Sequence, residues 1–409
     1  MERVLPDRLY LDHAATTPMT AAAREAMLCG MEMWANPSSP HAEGRAARAA
    51  LEEARAAIGA AYGWRGEVLL TSGASESLGI ALGRAIAGWR VISAVEHDAV
   101  LRAAGEGAVT VPVDADGSVS LGALREALTA TPTPFVLSEV EGRAENAPLV
   151  ARTSTSLGTN GEGERPDTNR VREHSGANQR PSRPVLCIQW CNSETGVRQP
   201  IDAVAQIVHE AGGLLLVDAA QMPPSPELAD HADFVAISAH KRGGPPGIGA
   251  LLVRDLATLT PTGGQERGYR PGTENLPAAL GYAAALAEPE PDHAGLRAHL
   301  DDAIRRSGGI VVGESAPRHS AIGSYRLPGM AANAQLIRLD LAGISVSAGS
   351  ACASGSLKPS HVLRAMGWSE ESTREVIRVS FGRTTTAADV DRFIQAWRAM
   401  ARGARTLAA

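Results

Sequence analysis

The chain has 409 residues, 44% of them hydrophobic, and a formal net charge of -6. That length suggests two or three domains of an ordinary globular protein, and the acidic balance gives no electrostatic ground for nucleic acid or an anionic membrane as partner. No run approaches the roughly 18 apolar residues of a spanning helix, and the opening MERVLPDRLYLDHAATTP lacks the apolar stretch of a signal peptide, so a cytoplasmic location is expected.

In chain order, helical periods alternate with short apolar runs, the pattern of an α/β fold with a mostly parallel sheet. A helix over Ala42–Ala61 is followed by a strand over Val68–Thr71. That strand runs into Thr71-Ser-Gly-Ala-Ser75-Glu76, which opens a helix over Glu76–Ala87. Free N–H groups and hydroxyls at a helix start form a phosphate site, although Ser and Gly are also common there as caps. His97 lies just past a strand over Val91–Ala94 and could stack on a planar ring; a structural histidine is the plainer reading. Val109–Val113 reads as a strand and Leu121–Leu128 as a helix.

From about Pro134 to Arg183 the chain is polar, with no aromatic residue after Phe135. Such composition gives little apolar burial to offset ordering entropy, and structureless connections of this length are uncommon in compact domains. A disordered surface insertion is expected.

A strand over Val185–Trp190, a helix over Ala203–Ala211 and a strand over Leu214–Asp218 follow. Asp218, at a strand's carboxyl end, suits a partner that keeps a pyridine nitrogen protonated, and equally suits a cap for the next helix. The strand Phe234–Ser238 leads into Ser238-Ala-His-Lys241-Arg-Gly-Gly-Pro-Pro-Gly-Ile-Gly249 and the strand Ala250–Val253. Of 39 basic residues only Lys241 and Lys358 are lysine. Lysine, unlike arginine, can become a neutral nucleophile, and a lysine at a strand's carboxyl end is well sited for a Schiff base. A surface lysine in a turn is the commoner fate of the residue.

Beyond about Glu288 the pattern becomes a helix, two short strands, a loop around Cys352 and a last helix, with Thr386 and Asp389 as its capping box. The expected organisation is a large α/β domain over 13–287, with seven strands, and a smaller α+β domain from 1–12 and 288–409. Cys29, Cys187, Cys191 and Cys352 are too scattered for a disulfide framework, and no metal-ligand spacing occurs. Cys29 should lie in the core with Met27, Leu28 and Met31, and Cys187 and Cys191 on or beside a buried strand. Cys352 sits in the small-residue stretch SAGSACASGS, which offers no apolar face to bury a thiol.

Ten segments in order carry a family resemblance: YLDHAATTP, NPSSPH, TSGASES, EHDAV, CNSETGVRQPI, VDAAQ, SAHK, GGQERGYRPGTEN, SAGSACASGSLKPSHVLRAMG and IRVSFGR. Together they resemble the fold-type I pyridoxal-phosphate enzymes of the class V aminotransferase family, specifically the bacterial cysteine desulfurases of iron–sulfur and nitrogen-fixation type. The resemblance covers nearly the whole chain except the insertion. It implies pyridoxal 5'-phosphate on Lys241, Asp218 at the pyridinium nitrogen, Gln221 at the ring hydroxyl, and His97 stacked on the ring and assisting proton transfer. Ala74, Ser75, Ser238 and His240 would hold the phosphate, and Thr273 would reach the phosphate of a neighbouring subunit, which implies a homodimer. Asn192 would lie by ring and substrate, Arg378 would bind the carboxylate of L-cysteine, and Cys352 would take the sulfur as a persulfide for an acceptor protein such as an iron–sulfur scaffold. Ser75 stands where threonine is common and Lys358 where an acid is frequent. Two other readings stay open: an aminotransferase or selenocysteine lyase on the same fold, and a catalytically dead sulfur-transfer scaffold.

Overall fold

The structure is a computed structural model that describes residues 8–129, 183–348 and 359–408. The chain begins with β1 (Leu9–Tyr10) and two helices, α1 (Ala21–Glu32) and α2 (Ala42–Ala61). Next come β2 (Glu67–Thr71), α3 (Ala74–Arg84), β3 (Trp89–Ser93), α4 (Asp98–Ala104), β4 (Val109–Val111) and α5 (Leu121–Thr129). The polar segment up to Ser182 lies outside the described residues from Ala130 on. Beyond it follow β5 (Pro184–Gln189), α6 (Ile201–Glu210), β6 (Leu214–Asp218), β7 (Phe234–Ser238), β8 (Gly249–Val253) and α7 (Leu276–Ala287).

The seven strands β2 to β8 form one sheet in the order β2-β8-β7-β6-β5-β3-β4. Every pairing is parallel except those of β8, which runs against both β2 and β7. The central strands read as unbroken apolar runs because both faces are covered. In β6, Leu215 and Val217 join one buried cluster while Leu214 and Leu216 join the other; β7 divides Val235 and Ile237 from Phe234 and Ala236 in the same way. This alternation fixes the register, since a slip of one residue would exchange the two faces.

The remaining elements are α8 (Ala294–Arg306), β9 (Ile310–Val311), β10 (Ile322–Arg326), α9 (Ala332–Leu341), β11 (Ile344–Ser345), α10 (His361–Ala365), α11 (Glu370–Thr373), β12 (Val376–Ser380) and α12 (Ala387–Ala408). Strands β12, β10 and β9 make an antiparallel sheet, and β1 pairs with β11 in parallel. Tyr325, Phe393 and Trp397 centre a separate buried cluster that also takes in Leu9 and Leu11. The capping box of α12 is present: Thr386 N donates to Asp389 Oδ2 at 2.9 Å, and Asp389 N to Thr386 Oγ1 at 3.3 Å. Helix α9 has no counterpart in the sequence reading. It buries only Ala332, Gln335 and Leu339 and exposes Ile337 and Leu341, so its apolar period is broken.

One core assignment is corrected. Cys29 is exposed, as are Leu28 and Met31. Helix α1 packs through small residues, Ala23 and Gly30. A Cβ on Gly30 would come within 2.7 Å of Pro277 Cα, so the approach to α7 needs the glycine and turns the larger apolar side chains outward. Among the described residues no helix is long and apolar enough to cross a membrane.

Candidate active site

Open parallel sheets leave a crevice beyond the carboxyl ends of their strands. Here that crevice is a cavity of about 810 Å³. The loop after β2 brings Ser72 and Gly73, with Ser75 in the first turn of α3; that after β3 brings Glu96 and His97, and that after β5 brings Asn192 and Glu194. The end of β6 contributes Asp218, with Gln221 just beyond it; β7 contributes Ser238 and leads to His240 and Lys241. Ala74 and Arg378 also line the wall. Ten of the residues singled out from sequence therefore share one cavity. Thr273 is exposed and does not line it, and Cys352 lies outside the described residues.

Lys241 follows β7 by one 3-10 turn, Ala239–Lys241, which carries its amine into the crevice. Its Nζ donates to the carbonyl of Ala14 at 2.7 Å, and Gln221 Nε2 donates to the same oxygen at 3.0 Å. Burial raises the Asp218 carboxyl above its ordinary range; the Ala220 N–H at 3.0 Å and the charges of His97 and Lys241 oppose that rise. His97 caps α4, its Nδ1 accepting from Ala99 N at 3.1 Å. Burial lowers its pKa, which favours the neutral ring, and an accepting Nδ1 then places the proton on Nε2. His240 is also held neutral, pushed down to about 4 by burial and then by the charges of Lys241 and Arg242. It can therefore serve an anion through a ring N–H but not through charge.

Arg378, on β12, is almost wholly buried. Its Nη2 donates to Asp12 Oδ1 at 2.6 Å and its Nη1 to the carbonyl of Ser193 at 2.9 Å, while Nε has no partner among the described residues. Asn192 is less available than the sequence suggests. Its Oδ1 accepts from the N–H groups of Glu194 and Thr195, both at 2.9 Å, and its Nδ2 donates to Val95 O at 3.2 Å and Gln189 Oε1 at 3.3 Å. It shapes the wall with its polar atoms already occupied. Sequence reasoning assigned nothing to Asp12, Glu96 or Glu194. Each sits inside a segment that carried the resemblance, but its contact is visible only in three dimensions. Ser360 Oγ donates to Glu194 Oε2 at 2.6 Å, and His361 Nε2 donates to the carbonyl of Glu96 at 2.8 Å.

Cys187 and Cys191 are buried as expected. Burial pushes the Cys191 thiol up to about 12 and raises Cys187 as well, so neither is a thiolate near neutrality. Cys29 is exposed but lies on α1, away from the cavity lining.

Three features fit a phosphorylated pyridine ring. The first turn of α3 has no side-chain cap, because Gly73 occupies the N-cap position at φ 147°, which leaves N–H groups for a phosphate. Gln221 Oε1 is buried without a partner among the described residues and can accept from a ring hydroxyl. Asp218 ends β6 as a buried carboxyl that gains from a cationic neighbour such as a protonated ring nitrogen.

The Aminotransferase class-V family profile matches residues 9–142 and 167–393, and the chain belongs to that family of pyridoxal-phosphate enzymes. The match is interrupted inside the polar segment read as an insertion. The chain is similar to the cysteine desulfurase of Cereibacter sphaeroides, 34% identical over 422 aligned residues that cover 95% of this chain and 94% of the relative. It is 35% identical to the IscS-like cysteine desulfurase of Mycobacterium tuberculosis, over 93% of each chain. The X-ray structure of a NifS-like protein from Rickettsia africae matches with a TM-score of 0.76 at 27% identity, covering 96% of this chain and 99% of that one. The fold-type I architecture expected from the sequence is thus met.

Proposed function

We propose that the chain is a cysteine desulfurase that takes sulfur from L-cysteine, releases L-alanine and carries the sulfur as a persulfide on Cys352. The observation that carries this reading is the convergence of Lys241, Asp218, His97, Gln221 and Arg378 on one cavity from four separate segments. Lys241 would hold pyridoxal phosphate, with Asp218 at its ring nitrogen, Gln221 at its hydroxyl, and Ser75, Ser238 and the α3 N-terminus at its phosphate. When bound, the cofactor supplies an electron sink for the charge left when the α-proton departs.

The chain's own residues do the rest. Arg378 takes the substrate carboxylate on its unpartnered Nε and so orients the amino acid. The Lys241 amine is sited to receive the α-proton, and His97 Nε2 to deliver or hold a proton on the facing side. The thiolate of Cys352 attacks the substrate sulfur: the S–S bond forms as the carbon–sulfur bond breaks, and the carbon takes a proton to leave as alanine. The thiol states of Cys187 and Cys191 and the place of Cys29 support Cys352 as the acceptor. A homodimer in which exposed Thr273 serves the neighbour's phosphate site, a protein sulfur acceptor and a cytoplasmic location belong to the same reading.

The test is a visible spectrum of the purified protein with and without L-cysteine, joined to assays for alanine and for persulfide. The expected result is a cofactor band that changes with L-cysteine, stoichiometric alanine, and sulfur mapped to Cys352. Lys241→Ala should lose the band's response and all turnover. Turnover by Lys241→Ala, or alanine formation without persulfide, would defeat the proposal.

A further inference from the structure

Asp12 belongs to YLDHAATTP and does not line the cavity, yet it makes the shorter of the two hydrogen bonds on the Arg378 guanidinium. We infer that Asp12 is a positioning residue for the substrate carboxylate, acting through Arg378. The inference rests on the reading that Arg378 binds that carboxylate.

The geometry gives the reason. A guanidinium is a planar fork, so bonds at both Nη atoms fix its plane. Asp12 Oδ1 holds Nη2 at 2.6 Å, and Ser193 O holds Nη1 at 2.9 Å. The Nε–H is left as the buried donor without a partner among the described residues, on a residue that does line the cavity. The Arg378 side chain is 4% exposed, so its charge needs a compensating anion before substrate arrives. Asp12 supplies that anion from outside the cavity, where it does not occupy the carboxylate's place.

Asp12 is itself held by the fold. It bridges Ser380 in parallel, two residues beyond Arg378 on β12. Its carbonyl accepts from Ala15 N at 3.0 Å and from the Tyr10 hydroxyl at 3.1 Å. Two residues on, the carbonyl of Ala14 holds Lys241 and Gln221. One short turn after β1 thus sets the substrate-facing arginine at one end and the lysine at the other.

The test compares wild-type holoenzyme with Asp12→Ala, Asp12→Asn and Arg378→Ala. The readouts are calorimetric binding of L-alanine, steady-state KM and kcat for L-cysteine, and inhibition by cysteamine, which is cysteine without its carboxylate. Asp12→Ala should weaken L-alanine binding and raise KM about tenfold or more, the scale of a lost charge-assisted contact, with kcat nearly unchanged. Asp12→Asn keeps an acceptor oxygen and should show a smaller shift of the same sign. Cysteamine inhibition should be the same in wild type and both Asp12 variants. If Asp12→Ala does not fold, Asp12→Asn carries the test on the same readouts. If both bind L-alanine as wild type does while Arg378→Ala loses binding, Asp12 has no such role and the reading of Arg378 stands. If Arg378→Ala also binds L-alanine normally, the reading of Arg378 fails and the inference fails with it.

Discussion

The cavity has two walls of different origin. The first comes from the ends of parallel strands: Asp218 closes β6, Lys241 follows β7 by one turn, and His97 caps the helix after β3. The second is assembled from distant chain: Asp12 meets Arg378 across 366 residues, and Glu194 meets Ser360 across 166. On the first wall each side chain is placed by its own strand, which is buried on both faces and cannot slip. On the second each is placed by another side chain. Substitution should therefore act locally on the first wall and spread on the second.

The largest effect is expected on the strand-end wall. Asp218→Asn keeps an oxygen for the Ala220 N–H but cannot carry the charge that pairs with a protonated ring nitrogen. Turnover should fall at least about a hundredfold, the scale of removing one preorganised electrostatic group. Cofactor should remain bound, through Lys241 and the α3 N-terminus. Measured kcat with cofactor content by absorbance checks this, and a variant with near-normal kcat would remove Asp218 from the chemistry.

This difference between the walls also explains what could be read from sequence. A strand that ends in Asp218, or leads into Ser-Ala-His-Lys241, advertises its position because apolar runs mark strands and ligands gather at their ends. Leu214–Asp218 and Phe234–Ser238 match the expected strands residue for residue. Arg378 was legible only through resemblance, and its partner Asp12 was not legible at all, because nothing near position 12 indicates a contact at position 378. Cys29 shows the opposite failure. Its apolar neighbours suggested core, but close packing at Gly30 gave the buried face to smaller residues.

A smaller effect should follow from Ser360→Ala on the second wall. Ser360 Oγ accepts from Leu363 N at 3.1 Å, capping α10, and donates to Glu194 Oε2 at 2.6 Å. Both bonds vanish in the variant. The loss should be about 1–3 kcal/mol of stability, read by urea unfolding. Because Ser360 lies in the same segment as Cys352, SAGSACASGSLKPSHVLRAMG, sulfur release should fall as well. Exchange of the α-hydrogen of L-alanine in deuterated water depends on the first wall and on carboxylate binding by Arg378, and should persist. Equal loss of exchange and sulfur release would show that the walls are not separable.

Glu96 stands where the walls join, and the effect expected of it is on stability. Its Oε1 accepts from Gln189 N at 3.1 Å on the sheet, while its backbone carbonyl accepts from His361. Burial, chiefly, pushes its carboxyl from 4.5 up to about 8, with the nearby Asp218 charge acting in the same direction. The unfolded chain thus releases this proton at lower pH than the folded one does. Stability from this group is full below about 4.5, falls as pH rises toward about 8, and is level beyond. Buried histidines work the other way at lower pH: His13 is held at about 4 and His319 at about 3, so their cost is gone once pH exceeds 6.5. Between pH 6.5 and about 8 the Glu96 contribution should therefore appear as a decline in stability on alkalinisation. Glu96→Gln keeps the oxygen that accepts from Gln189 and has no proton to lose, so it should flatten that decline and gain most over wild type near pH 8. Urea unfolding at intervals across the window gives the comparison, and parallel slopes for the two proteins would mean that Glu96 is ionised in the fold and that the sheet absorbs its charge.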